Sequence, residues 1–187
     1  VTRAEIGAVI VRFLGLDSDG ISGSDTGYLD VADGYWAKPY IDAVSAMGLA
    51  NGNGDGTFSP EDTVTAEQAA KLLVCALGYE PKAQDRGGYP TGYMTVAKEL
   101  GIFDGVSLTG GGDMPLERQK LAKMVYNALE VDLMEIKSYG AGSYAAVSDG
   151  VCALGEYHDT QKKSGTVTAN YASAAADESL AEDEVRI

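Results

Sequence analysis

Three stretches of the chain carry apolar residues at one spacing, i, i+3, i+4, i+7 and i+8: Ile6, Val9, Ile10, Phe13 and Leu14; Ala69, Leu72, Leu73, Ala76 and Leu77; Leu121, Met124, Val125, Ala128 and Leu129. That period puts the five side chains of each stretch on one face of an α-helix, so it predicts three helices burying similar stripes. Shorter stretches precede the second and third, with Tyr40, Ile41, Val44 and Met47 in one and Tyr93, Met94, Ala97 and Leu100 in the other. Gly48 and Gly101 close them in the manner of left-handed helix caps. The likeness extends over whole segments: Trp36 to Leu49 recurs as Tyr89 to Ile102 at an offset of 53 residues, with aromatic, apolar and glycine positions aligned. Each unit reads as helix, loop, helix, and the first keeps only its second helix because Val1 stands at the start of it. Repeats of this kind stack to bury a shared core, so function is sought on the surfaces between units.

The pattern changes after residue 133. Met134 to Lys137 and Tyr144 to Val147 flank Ser138-Tyr139-Gly140-Ala141-Gly142-Ser143, which predicts a loose hairpin. Val151 to Tyr157 suits a short helix or a strand, Gly165 to Asn170 has the β-branched alternation of a strand, and the small, acidic run Ala172 to Asp183 reads as a surface loop. Residues 134–187 are expected to open a β-rich domain whose remainder lies outside the sequence. Both ends read as cut, which makes the chain a piece of a longer protein.

The helix starts carry the sharper chemistry. Thr2-Arg3-Ala4-Glu5 and Thr65-Ala66-Glu67-Gln68 fit the capping box, in which the threonine hydroxyl accepts from the third helical amide and the Glu or Gln side chain reaches back. Thr2 and Glu5 are thereby explained, but Arg3 is not, since a cation in the first turn opposes the helix dipole at a cost of about 0.3–1 kcal/mol. Aligning the stripes puts Arg118 at the place of Arg3, with Ala66 in the middle copy. Free amides at a helix start together with a guanidinium fork suit a carboxylate ligand. The competing reading is an exposed arginine paired with one of the many acids.

Composition narrows the partners. A net charge of −14 and no basic stripe argue against nucleic acid, and no apolar run approaches the about 18 residues of a membrane span. Cys75 and Cys152 lack the close partners of a zinc site and read as unpaired or buried thiols, with a disulfide between them as the other possibility. His158, in the tail, is too isolated to support a catalytic triad.

The run Tyr28-Leu29-Asp30-Val31, then Trp36, Gly48-Leu49, Asn51-Gly52-Asn53-Gly54-Asp55-Gly56-Thr57-Phe58-Ser59-Pro60 and Val64-Thr65 closely resembles the S-layer homology repeat. Val1-Thr2-Arg3-Ala4-Glu5 is similar to that family's TRAE helix start. The resemblance covers residues 1–133 as a half repeat (1–16), a second repeat (28–80) and a third (81–133). The third departs from the pattern, with no Asp-Val start, Tyr89 for the tryptophan and Gly110-Gly111-Gly112-Asp113 in the loop. The resemblance implies a mainly α, pseudo-threefold bundle, followed here by the short β-rich extension. It implies an extracellular protein of a Gram-positive wall or S-layer. Its function is to anchor that protein by binding pyruvylated secondary cell-wall polysaccharide in inter-repeat grooves, alongside like chains in a surface layer, with no cofactor and no membrane insertion. Carried over by position, Arg3 and Arg118 are the ketal-carboxylate ligands, and Thr2, Glu5, Asp55 and Gly56 complete the candidate set. Ala66 leaves the middle groove without its arginine. Trp36 and Tyr89 either stack on sugar or pack under their own helices, and Asp30 is expected to accept from loop amides.

Two other classes compete. Asn51, Asn53, Asp55, Gly56, Thr57 and Asp62 fall at positions 1, 3, 5, 6, 7 and 12 of a calcium loop, which would make a calcium-dependent docking module. Neutral residues at two ligand positions and Asp in place of the bidentate Glu weaken that reading. An enzyme is disfavoured, because no acidic pair stands framed by aromatics as glycoside hydrolysis requires.

Overall fold

The computed structural model describes residues 1–16, 25–138, 144–162, 169–170 and 185–186. Its helices run α1 (Arg3–Phe13), α2 (Lys38–Ala46), α3 (Ala66–Ala76), α4 (Glu80–Asp85), α5 (Thr91–Glu99) and α6 (Arg118–Leu129). The long helices α1, α3 and α6 carry the three stripes. All five stripe residues of α3 are buried, as are Leu121, Met124 and Ala128 of α6. On α1 the buried arc is wider than the stripe: Gly7, Ala8 and Val11 are buried while Val9 and Leu14 are half-buried, because α2 and α3 press on it from two sides. Both capping boxes form: Thr2 Oγ1 accepts from the Glu5 amide at 3.2 Å and Thr65 Oγ1 from the Gln68 amide at 3.3 Å.

The residues just before the three helix starts bind one another. The Val64 amide donates to Val1 O at 2.9 Å, the Leu116 amide to Val64 O at 2.7 Å, and the Val1 nitrogen to Leu116 O at 3.0 Å. This closed ring of three main-chain hydrogen bonds marks the pseudo-threefold axis at the amino ends of the long helices. Around it α1 packs on α2, α3 on α5, and α3 touches both α1 and α6. Gly48 and Gly101, at φ 70° and 73°, end the short helices as expected, although Met47 is exposed.

The units differ in what covers the short helix. Over α2, the Thr26 hydroxyl donates to the buried Asp42 carboxylate at 2.5 Å, and Lys38 bridges Asp42 and Asp25. The third unit replaces this strap with α4, an element the periodicity does not predict. Gln84 of α4 donates to Tyr93 Oη at 2.9 Å, and Lys82 and Arg86 both reach Glu99 at 2.8 Å.

The tail begins as an antiparallel hairpin, β1 (Asp132–Ser138) with β2 (Tyr144–Cys152), then α7 (Ala153–His158). Two short strands, β3 (Ala169–Asn170) and β4 (Val185–Arg186), pair with each other. Strand β1 starts earlier than expected, and Val151 to Tyr157 turns from strand to helix after Cys152. The hairpin loop at 139–143, most of the expected strand at 165–170 and the acidic run 172–183 lie outside the described residues. The tail docks on the carboxyl ends of the long helices: Met134 N donates to Leu77 O at 3.0 Å, Ala153 N to Val131 O at 3.2 Å, and His158 Nε2 lies 3.1 Å from Phe13 O. Glycine is required there, because a Cβ on Gly15 or Gly78 would stand 2.3 Å from the carbonyl oxygen of Tyr157 or Met134. Ala153 is buried in the helical core, so this part of the tail closes the bundle. Cys75 and Cys152 are both free, and burial pushes the Cys75 thiol up to about 11.

Candidate functional site

At the first turn of α1 the backbone is already committed. The Arg3 and Ala4 amides donate to Asp62 O and Pro60 O at 2.9 Å each, and the Glu5 amide is taken by Thr2. The free amides expected of this helix start are therefore not available, and recognition of an anion falls to side chains. Arg3 is held from three directions: Nε donates to Phe58 O at 2.8 Å, Nη2 to Asn51 O at 2.9 Å, and the guanidinium lies 4.5 Å from the Phe58 ring centroid. Burial pulls its pKa below the ordinary arginine value, against the pull of Asp62, without removing its charge. Asp30 fixes the loop beneath, accepting from the Phe58 and Ser59 amides at 2.8 and 2.7 Å, as expected of a short carboxylate at a turn.

The clamped guanidinium lines a cleft of about 330 Å³ between α1, the Asn51–Phe58 loop and α3. Ile6, Val44, Leu49 and Leu72 give it apolar walls; Gln68 and Lys71 of α3 and Tyr89, just ahead of α5, line it as well. Arg3 forms no salt bridge among the described residues, and neither does Lys71. Two cations with no bound carboxylate, an apolar wall and the half-exposed Tyr89 ring (51%) make a pocket for a small anionic group carried on an amphipathic ring. Lys71 and Gln68 escaped sequence reasoning, since their position in α3 became meaningful only once the second unit was set against the first.

Arg118 stands differently. Its side chain is 80% exposed and its Nη2 pairs with Glu5 Oε1, while Glu5 Oε2 accepts from the Thr2 amide at 2.9 Å. Both hydrogen bonds, the one from Thr2 first, hold the Glu5 carboxyl below the usual glutamate range. The pairing with an acid weighed for these arginines thus holds for Arg118 and not for Arg3. Trp36 is 54% exposed, with its ring 5.9 Å from that of Tyr35 and 6.3 Å from that of Tyr40. Asp55 and Gly56 do not line the cleft: Asp55 Oδ1 accepts from the Thr57 amide and hydroxyl at 3.0 and 2.6 Å, and Gly56 O accepts from Leu29 N at 2.9 Å. In the same loop Asn53 turns its amide nitrogen, a donor, to Thr57 and Ser59. That is turn chemistry, and among the described residues no three acidic, His or Cys side chains gather as a cation site.

The family model of the S-layer homology domain matches residues 27–70, which hold Asp30, Trp36 and the loop that clamps Arg3. The chain carries an S-layer homology domain. It is similar to a surface layer protein of Brevibacillus choshinensis, 33% identical over 150 residues that are 80% of this chain and 13% of that protein. A middle cell wall protein of Brevibacillus brevis is 32% identical over 75% of this chain and 13% of its own length. A cell surface protein of Thermoanaerobacter kivui is 30% identical over 72% of this chain and 17% of its own length. The chain thus spans less than a fifth of these curated relatives. An S-layer homology domain is a cell-wall-associated binding module and not a catalytic one, and these relatives are named as surface layer, cell wall and cell surface proteins. No helix among the described residues is long and apolar enough to cross a membrane.

Proposed function

We propose that this S-layer homology domain anchors its parent protein non-covalently to the cell wall by binding a pyruvylated secondary cell-wall polysaccharide, without turnover. The observation that carries the reading is the clamped, unpaired Arg3 facing Lys71 and Tyr89 across an apolar-walled cleft. The guanidinium receives the ketal carboxylate, Lys71 adds a second positive contact, and Tyr89 lies under a pyranose face. Arg118 and Trp36 hold the places of Arg3 and Tyr89 in the repeat pattern. Thr2 and Glu5 fix the helix start, and Asp55 and Gly56 shape the loop that holds Arg3. A chain of charge −14 repels a polyanion at a distance, so affinity comes from these local contacts and from avidity, including that of like chains in a surface layer. Residues 1–133 form the wall-binding unit, and the hairpin with α7 covers its helix ends.

Co-sedimentation with purified wall sacculi tests this. Arg3→Ala should weaken retention at least tenfold, the scale of one lost charge-assisted contact. Mild acid stripping of the pyruvate ketals should release the unaltered protein to a similar degree. Retention unchanged by both treatments would overturn the proposal.

A further inference from the structure

The short helices α2 and α5 are equivalent, but one side of each is used differently. On α2, Lys38, Asp42 and Ser45 hold the strap at residues 25–28: Lys38 pairs with Asp25 at 2.6 Å, Asp42 accepts from the Thr26 hydroxyl at 2.5 Å, and Ser45 Oγ lies 3.2 Å from Tyr28 Oη. At the offset of 53 residues these three become Thr91, Thr95 and Lys98 on α5. The contacts of α4 go to Gly92, Tyr93 and Glu99, and the side bearing Thr91, Thr95 and Lys98 opens on a cleft of about 670 Å³. The half-buried Met94, Phe103, Val106 and Leu108 give this cleft an apolar surface, and Glu67, Lys98 and Asp104 bring charge to it. We infer that it is an extension subsite of the Arg3 cleft, taking the sugars of the wall polysaccharide that adjoin the pyruvylated one. This rests on the polysaccharide reading above.

Three observations carry it. First, the two clefts adjoin: Gln68 and Tyr89 line the one that holds Arg3, and their chain neighbours Glu67 and Pro90 line the other. A polymer seated beside Arg3 and Tyr89 therefore has a lined surface to continue on. Second, Glu67, Lys98 and Asp104 form no salt bridge among the described residues, although all three stand at one cleft. Carboxylates accept from sugar hydroxyls and an ammonium donates to sugar oxygens, while the apolar surface suits the C–H face of a pyranose. Third, the charged grip by which α2 holds a peptide strap is absent from α5. Thr91 and Thr95 replace Lys38 and Asp42, and Thr95 Oγ1 donates to Thr91 O at 2.8 Å, which leaves its lone pairs to accept from a ligand hydroxyl. The face has thus exchanged ion-pairing groups for hydroxyls, the exchange that favours a glycan over a second strap.

The probes are fragments of the pyruvylated wall polysaccharide, fractionated by length down to the single pyruvylated sugar, titrated by calorimetry and followed by amide NMR shifts. Longer fragments should bind the unaltered protein about tenfold more tightly than the single sugar, the scale of one added charge-assisted contact. They should also move the amide signals of Met94, Thr95 and Lys98, which the single sugar leaves in place. Lys98→Glu, at an exposed position and checked for folding by thermal unfolding, should remove that gain and leave single-sugar binding unaltered, whereas Arg3→Ala should weaken both. No gain with length, or a gain that Lys98→Glu leaves intact, would overturn the inference while the polysaccharide reading stands. So would a peptide spanning residues 25–31 that moves those three amides where the fragments do not, since the cleft would then be a second strap site. Absence of binding by every fragment would overturn the polysaccharide reading, and the inference with it.

Discussion

Arg3 and Arg118 occupy the first turn of equivalent helices, yet one is half-buried, clamped by two carbonyls and an aromatic ring, and the other swings out to a carboxylate. The loop and the neighbouring unit make the difference. Arg3 has the Asn51–Phe58 loop folded against it and a neutral glutamine opposite, whereas Arg118 faces a glutamate. A guanidinium thus stays free of a carboxylate or enters an internal ion pair according to one residue in the adjacent repeat. Exposed pairs of the second kind contribute about 0–1 kcal/mol to stability.

The comparison can be broken most forcefully by transplanting it. Gln68→Glu should turn the Arg3 cleft into the Arg118 arrangement, keep the capping box, and lower wall retention by tenfold or more in the sacculus assay, close to the loss seen with Arg3→Ala. A smaller effect belongs to acid. Glu5 is held below its ordinary value of 4.5 in the folded chain, so its stabilising contribution is complete above that pH and fades as pH falls through the lower, folded value. Glu5→Gln should therefore flatten the acid side of the melting-temperature profile, and a profile identical to that of the unaltered protein would show that the pair contributes nothing there. The smallest change is expected from Arg118→Ala alone, within about 0.5 kcal/mol in denaturant unfolding and under twofold in retention, since that guanidinium is already occupied.

Much of this was legible in the sequence because it is local. The stripes, both capping boxes and the glycine caps each depend on residues a few positions apart, whereas Asp30 reaches amides 28 and 29 residues on and was read from the chemistry of a short carboxylate at a turn. The inequality of Arg3 and Arg118 was not legible, because each sits in the same local context and only the packing of units sets Gln68 against one and Glu5 against the other. Lys71 belongs to neither the capping box nor the apolar stripe of α3, so no motif marks it. Helix α4 is too short for periodicity to register, and the supposed free amides of α1 were taken by Pro60 and Asp62 from a loop nearly sixty residues away in sequence. The docking of α7 and β1 on the bundle ends likewise depends on Gly15 and Gly78 admitting the backbone of Tyr157 and Met134, which spacing alone does not disclose.

The three-bond ring through Val1, Val64 and Leu116 has a mechanical consequence. Every member both gives and receives, so sliding any one unit along the axis ruptures two of the three links at once. A load applied at α1 is thereby shared among all three helix starts, and the bundle resists as a body instead of shedding its repeats singly.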